Sequence, residues 1–224
     1  MRKVLEIGGL VAGLVLIVFG VVAIVMGMNG RSTVSNSLKE QQIVGTPDMS
    51  PAGITAAVKT AGLKNITIPS CDVANKAIAT GSQARCFAEY MQIHALEATG
   101  GFLYSQMGIY IAKPGTPKAQ LMPGGGTENT AFAAIDPTTK QPIQNGARNV
   151  WVTETALTTA LNASFMAAQL ALFGIVVGVA LVLSGLGFSI LAFGGALRSP
   201  ENPLNTIFGR RAPKTVGSTP LPTA

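Results

Sequence analysis

Charge is missing from two long stretches of this chain. No Asp, Glu, Lys or Arg occurs in residues 7–30 or in residues 155–197. Charged residues make up only 12% of the whole, about half the share of a typical soluble domain, so an ordinary soluble fold fits poorly. Histidine occurs once, at His94, and cysteine twice, at Cys71 and Cys86. A zinc site wants about four ligands and a non-haem iron site typically two histidines with a carboxylate. The chain is short of donors for both, and no metal is expected. There is no GxSxG, Walker loop, HExxH or placeable pair of carboxylates, and no cofactor is expected. Neither uncharged stretch holds an ionisable group, which speaks against a proton relay or ion carrier in a bilayer.

What the chain does have is apolar length. A helix crossing a membrane needs roughly 20 mostly apolar residues. Residues 165–197, FMAAQLALFGIVVGVALVLSGLGFSILAFGGAL, exceed that, and residues 7–30 reach about 36 Å as helix. The expected fold class is a membrane protein, a two-helix transmembrane hairpin carrying a small, mainly helical (α+β) extracytoplasmic domain. In order, this gives a cytoplasmic N-terminus at 1–6, a first transmembrane helix at 7–30 and the domain at 31–154. A helix extension at 155–164, a second transmembrane helix at 165–197 and a disordered cytoplasmic tail at 198–224, rich in Pro, Ser and Thr, follow. A cleaved signal peptide competes for 7–30. Its apolar core is normally 7–15 residues and ends at small residues, whereas this run is longer and ends VMGMN, so a retained anchor is expected.

Orientation follows from Lys and Arg near the span ends. Arg2, Lys3, Arg198, Arg210, Arg211 and Lys214 stand on one side, and Arg31, Lys39 and Arg148 on the other. The bias puts both termini in the cytoplasm and 31–154 outside. The net charge of +6 forms no dense patch, and four of the surplus charges lie at the chain ends, so nucleic acid is not an expected partner. The lipid bilayer is one, together with a membrane-protein partner or a second copy of the chain.

Both cysteines fall in the middle region. An oxidising compartment would join Cys71 to Cys86, and two unpaired buried thiols are the alternative. Glycines are patterned in both spans. Gly9 and Gly13 form GxxxG, followed by Gly20 and Gly27 at seven-residue steps. Gly174 and Gly178 form a second GxxxG, with Gly185 seven on. Such spacing lets two helix backbones approach closely in lipid, within the chain or between chains, although glycine is also simply frequent in membrane helices. Within one chain, the hairpin would bring Gly13 level with Gly185, Gly20 with Gly178 and Gly27 with Gly174.

In the middle region, Ser50 and Pro51 open a helix that Gly62 stops. Residues 64–69 read as extended, 71–80 as a short helix, and 83–99 as a stronger helix capped by Ser82. Residues 130–135 and 141–144 are expected to pair across a turn-rich link, and proline- and glycine-rich 113–129 reads as a mobile loop. Trp151 fits either an interfacial anchor or a domain core. His94, with Glu97 three residues on and Tyr90 one turn before, is the one candidate ligand or acid–base site. The commoner reading of a lone histidine on an apolar helix face is a hydrogen-bonded core residue.

Several stretches resemble a family of small actinobacterial membrane proteins without established function. They are MRKVLEIGGLVAG, NGRSTV, IVGTPDMSP, CFAEYMQIHALEATGG, NGARNVWVTETALTTALN and FGIVVG. Members often carry the label of an aromatic ring-opening dioxygenase subunit. The iron ligands such a label requires are not met by His94 alone. The resemblance implies a bacterial plasma-membrane protein. The expected function is a non-enzymatic accessory or scaffold, and the alternative is a membrane-anchored enzyme or ligand-binding protein with a site near His94.

Overall fold

The computed structural model describes residues 2–194, with their side chains from residue 7 on; the tail at 198–224 and the end of 165–197 lie outside the described residues. The chain is mostly helical. Among the described residues four α-helices form: α1 Arg2–Glu40, α2 Pro51–Thr60, α3 Gly81–Ala98 and α4 Gly146–Phe193. Three single 3₁₀ turns lie between α3 and α4. α1 and α4 are long and apolar enough to cross a membrane. The chain divides into two compact units. One joins residues up to Ile24 with those from Val176 on, and the other is Val25–Ile175.

In the first unit, α1 meets α4 through glycine. A Cβ placed on Gly20 would lie 2.6 Å from the Gly178 carbonyl oxygen, and one on Gly178 would lie 2.6 Å from that of Gly20. Gly13 and Gly185 stand in the same relation, at 2.8 and 2.6 Å. Only hydrogen fits in these places. The Ser189 hydroxyl, which a Cβ on Gly13 would also meet, donates back to Gly185 O at 2.9 Å.

In the second unit, α1 continues past Gly30. Charge and small polar residues do not break a helix as Gly or Pro does, and Thr33 returns its hydroxyl to Asn29 O at 3.0 Å. Val34 and Leu38, four apart, then share one face. Leu38 is buried with Met49, Ile54, Val73, Phe87, Tyr90 and Leu161, and Val34 packs against them. α2 begins as its residues require: the Ser50 hydroxyl accepts from Gly53 N at 3.1 Å, and Pro51 fills the first turn, where no N–H is missed. α3 is capped by Thr80, with Gln83 completing a capping box. Ser82 lies inside the helix.

Residues 71–80 are not helical. Asp72 Oδ1 accepts from Ala74 N at 3.0 Å, Asn75 takes φ 56°, and Gly45 N and Ile78 N bond to Lys76 O and Ile43 O. These bonds draw the backbone towards residues 43–45 and away from an i to i−4 ladder. The β component is also smaller than expected. Among the described residues there are isolated bridges and no strand. Ile135 bridges Pro142, whose ring leaves no N–H to extend the ladder, and Thr130–Phe132 winds into a 3₁₀ turn. In 113–129 Gly124 and Gly126 carry close approaches: a Cβ on Gly124 would meet the Phe102 side chain at 2.8 Å, and one on Gly126 the Tyr110 carbonyl oxygen at 2.7 Å.

Candidate functional site

His94 projects from α3 with both ring nitrogens facing carboxylates. Nδ1 lies 2.7 Å from Glu97 Oε2, and with a carboxylate as partner it is the donor. Nε2 is buried, makes no hydrogen bond, and lies 3.5 Å from Asp48 Oδ2. Asp48 sits just before α2, where Thr46 donates to its other oxygen at 2.5 Å. His94 therefore spans from α3 to the segment that opens α2. A general base needs a nitrogen presented to a substrate proton. Here one nitrogen is bonded and the other is enclosed against Asp48.

Tyr90 does not join this group. It is fully buried, and its hydroxyl donates to Cys71 O at 2.6 Å. Burial raises its pKa above the ordinary 10.0, with the negative charges of Asp72 and Glu89 adding to the shift. Cys71 and Cys86 form a disulfide with Cα atoms 6.1 Å apart. It ties the irregular segment 71–80 to the second turn of α3, and Tyr90 fastens the same segment one turn further along. Closing a 15-residue interval is worth about 3 kcal/mol in the chain-entropy model.

Trp151 belongs to the core. It is 6% exposed, packs with Ala95 and Met107, and donates from Nε1 to Phe102 O at 2.9 Å. Nearby, Arg148 bonds Glu128 Oε1 at 2.7 Å and stacks 4.2 Å from the centre of the Tyr104 ring.

Beside His94, between α3 and the first turns of α4, lies a cleft of about 420 Å³. Met91, His94 and Ala95 form one wall, and Gly146, Val150 and Glu154 are on the other. Neither Tyr90 nor Glu97 lines it. Two carboxylates matter here that were not picked out from sequence. Asp48 is 46 residues from His94 in the chain, and Glu154 sits among threonines with no motif around it. The apolar spacing of Val150, Trp151 and Leu157 is the one signal in the sequence that marks Glu154's turn as buried.

Of the patterned glycines, Gly13, Gly20, Gly178 and Gly185 come together in the first unit as described. In the second unit Gly27 meets Ala171 O at 2.6 Å and Ile175, rather than Gly174. The reason is the step. Antiparallel partners of Gly13, Gly20 and Gly27 fall at Gly185, Gly178 and Ala171, all seven apart, and Gly174 is off that row. Gly9 and Gly174 are half-buried.

Fold and site together define a mostly helical protein with two apolar helices of membrane-crossing length and a disulfide-tied helical unit. The chain matches no protein-family model, no curated protein and no solved structure.

Proposed function

We propose that this is an integral membrane accessory or scaffold protein of a bacterial plasma membrane, not an enzyme. Both termini lie in the cytoplasm and residues 31–154 outside. One observation carries the reading: α1 and α4 meet at Gly13, Gly20, Gly27, Gly178 and Gly185 and leave their large apolar side chains uncovered. Phe19, Met26, Leu170 and Phe173 are each more than 60% exposed, and only 11% and 17% of the most apolar windows are buried. Surface of this kind calls for lipid or another apolar helix. The basic bias and the disulfide support the orientation, and the enclosure of His94 supports a structural role for it.

Two measurements test this. Purification in mild detergent from native membranes should bring down another membrane protein, or a second copy, in fixed stoichiometry. A monomer with no stoichiometric companion would overturn the accessory role. For topology, a cysteine at position 118 should react with an impermeant maleimide on intact cells, and one at position 218 only after lysis. The reverse pattern would overturn the orientation.

A further inference from the structure

Glu154 is 6% exposed, yet among the described residues it has no ion-pair partner. Its Oε2 accepts one 3.3 Å bond, from the Thr155 hydroxyl, and Oε1 has no partner among those residues. A carboxylate on a residue so largely withdrawn from water is favoured by a nearby cation. The neighbouring charges do not supply one. Arg148 is engaged by Glu128 and Tyr104, Arg85 by Glu89, and His94 faces Glu97 and Asp48. Glu154 lines the 420 Å³ cleft, whose apolar wall is made by Met91, Ala95 and Val150 with Gly146 at the start of α4, and whose other lining residues are His94, Asn149 and Thr153; on the side of Thr155, Glu154 also borders a second cleft of about 310 Å³. That volume is in the range of small-molecule sites, which pair apolar walls with a few placed polar groups.

We propose that this cleft binds a small organic cation, an amine with an apolar body, its ammonium group on Glu154 and its hydrocarbon against Met91, Ala95 and Val150. His94 forms part of the wall and is not the recognising group. This site is independent of whether the chain recruits a membrane partner.

The probe is 2-phenylethylamine, with 2-phenylethanol as its uncharged counterpart, titrated into the purified full chain at constant detergent. Trp151, the sole tryptophan, reports by fluorescence, because it packs with Ala95 and Val150 of the cleft walls. The Met91 methyl resonance reports from inside the cleft. The amine should give a saturable change in both signals, and the alcohol should bind at least tenfold more weakly. Glu154→Gln should weaken the amine at least tenfold. Gly146→Leu gives a second test that leaves Glu154 in place. Gly146 lines the cleft and a Cβ there meets nothing within 4 Å, so a leucine narrows the cleft without displacing backbone, and it too should weaken binding at least tenfold. Equal binding of amine and alcohol, absence of a saturable change, or retention of affinity in either folded variant would overturn the proposal. If Glu154→Gln does not fold, the amine–alcohol pair and Gly146→Leu decide it alone.

Discussion

In the first unit, the space between α1 and α4 at Gly20 and Gly178 has no room for even one added carbon. In the second, a tyrosine, a phenylalanine and a tryptophan fill the interior, and two of them carry hydrogen bonds to carbonyls. The helix pair of the first unit is joined by absence of side chains, as is the pair at Gly27, whereas the core of the second unit is filled by their bulk. The contrast is the one expected of two solvents if the first unit lies in lipid and the second in water, as proposed above. In water, burying a large apolar side chain yields about 1.5–3 kcal/mol, so a unit facing water gains from size. In lipid that gain vanishes, because the surroundings are as apolar as the side chain. Close backbone approach, with its many dispersion contacts, is what remains. The same chain thus uses opposite residue types to hold two regions together.

Breaking the small-residue contact should have the largest effect. Gly20→Leu or Gly178→Leu drives a side chain into a carbonyl oxygen, and overpacking costs about 1–3 kcal/mol, the upper end being expected where backbone is struck. A large fall in the thermal midpoint in detergent is expected. Gly187→Leu is the matched control, since a Cβ there meets nothing within 4 Å; it should stay within about 0.5 kcal/mol of the parent. If the two leucines behave alike, the helices are not held at their glycines.

The second unit should respond to the loss of what is present. Cys86→Ser removes the cross-link, with an expected cost of about 3 kcal/mol, read from urea unfolding of the detergent-solubilised chain. Adding reductant to the parent should reproduce it. Tyr90→Phe keeps the ring and deletes the hydroxyl, leaving Cys71 O without its donor. A loss of about 1–2 kcal/mol is expected. An unchanged midpoint would mean that the ring alone fastens the segment.

The smallest effect is one of pH. Asp136 accepts from Thr139 N and Thr138 N, at 2.8 and 2.7 Å, and these bonds hold its carboxyl below the ordinary 3.8. A lowered folded pKa stabilises the fold above the unfolded value, and the contribution is lost as pH falls through the folded one. Asp136→Asn should therefore lie slightly below the parent in thermal midpoint at neutral pH, and the gap should close as pH drops below about 3.8. A gap independent of pH would assign the effect to packing.

Much of the fold was legible because local rules and tertiary demands agree. Uncharged length marks α1 and α4, and Ser50-Pro51 marks the start of α2. Where they disagree, sequence reading fails in explicable ways. Residues 71–80 carry a helix-compatible pattern, but the disulfide at Cys71 and the bridges to residues 43–45 impose another path. Thr80, not Ser82, caps α3, because Gln83 stands at the third position from Thr80 and completes the box. Gly174 looked equivalent to Gly178 and Gly185, but the row facing α1 is set by the step between partners, and Ala171 is on it. Of the candidate site, the contact between His94 and Glu97 follows from their three-residue spacing on α3. Asp48 and Glu154 were not visible, since each reaches the site only through the packing of a different element.

The seven-residue spacing also has a mechanical meaning. Gly13 and Gly20 face Gly185 and Gly178, so α1 and α4 of the first unit mesh like two toothed racks with teeth about 10.5 Å apart. A displacement of an ångström or two along the axes would press a neighbouring side chain onto a carbonyl. Gradual sliding is therefore blocked, and the next sterically equivalent position is a whole heptad away. Under a pull along its axes such a pair yields little, and when it yields it does so in a single discrete jump.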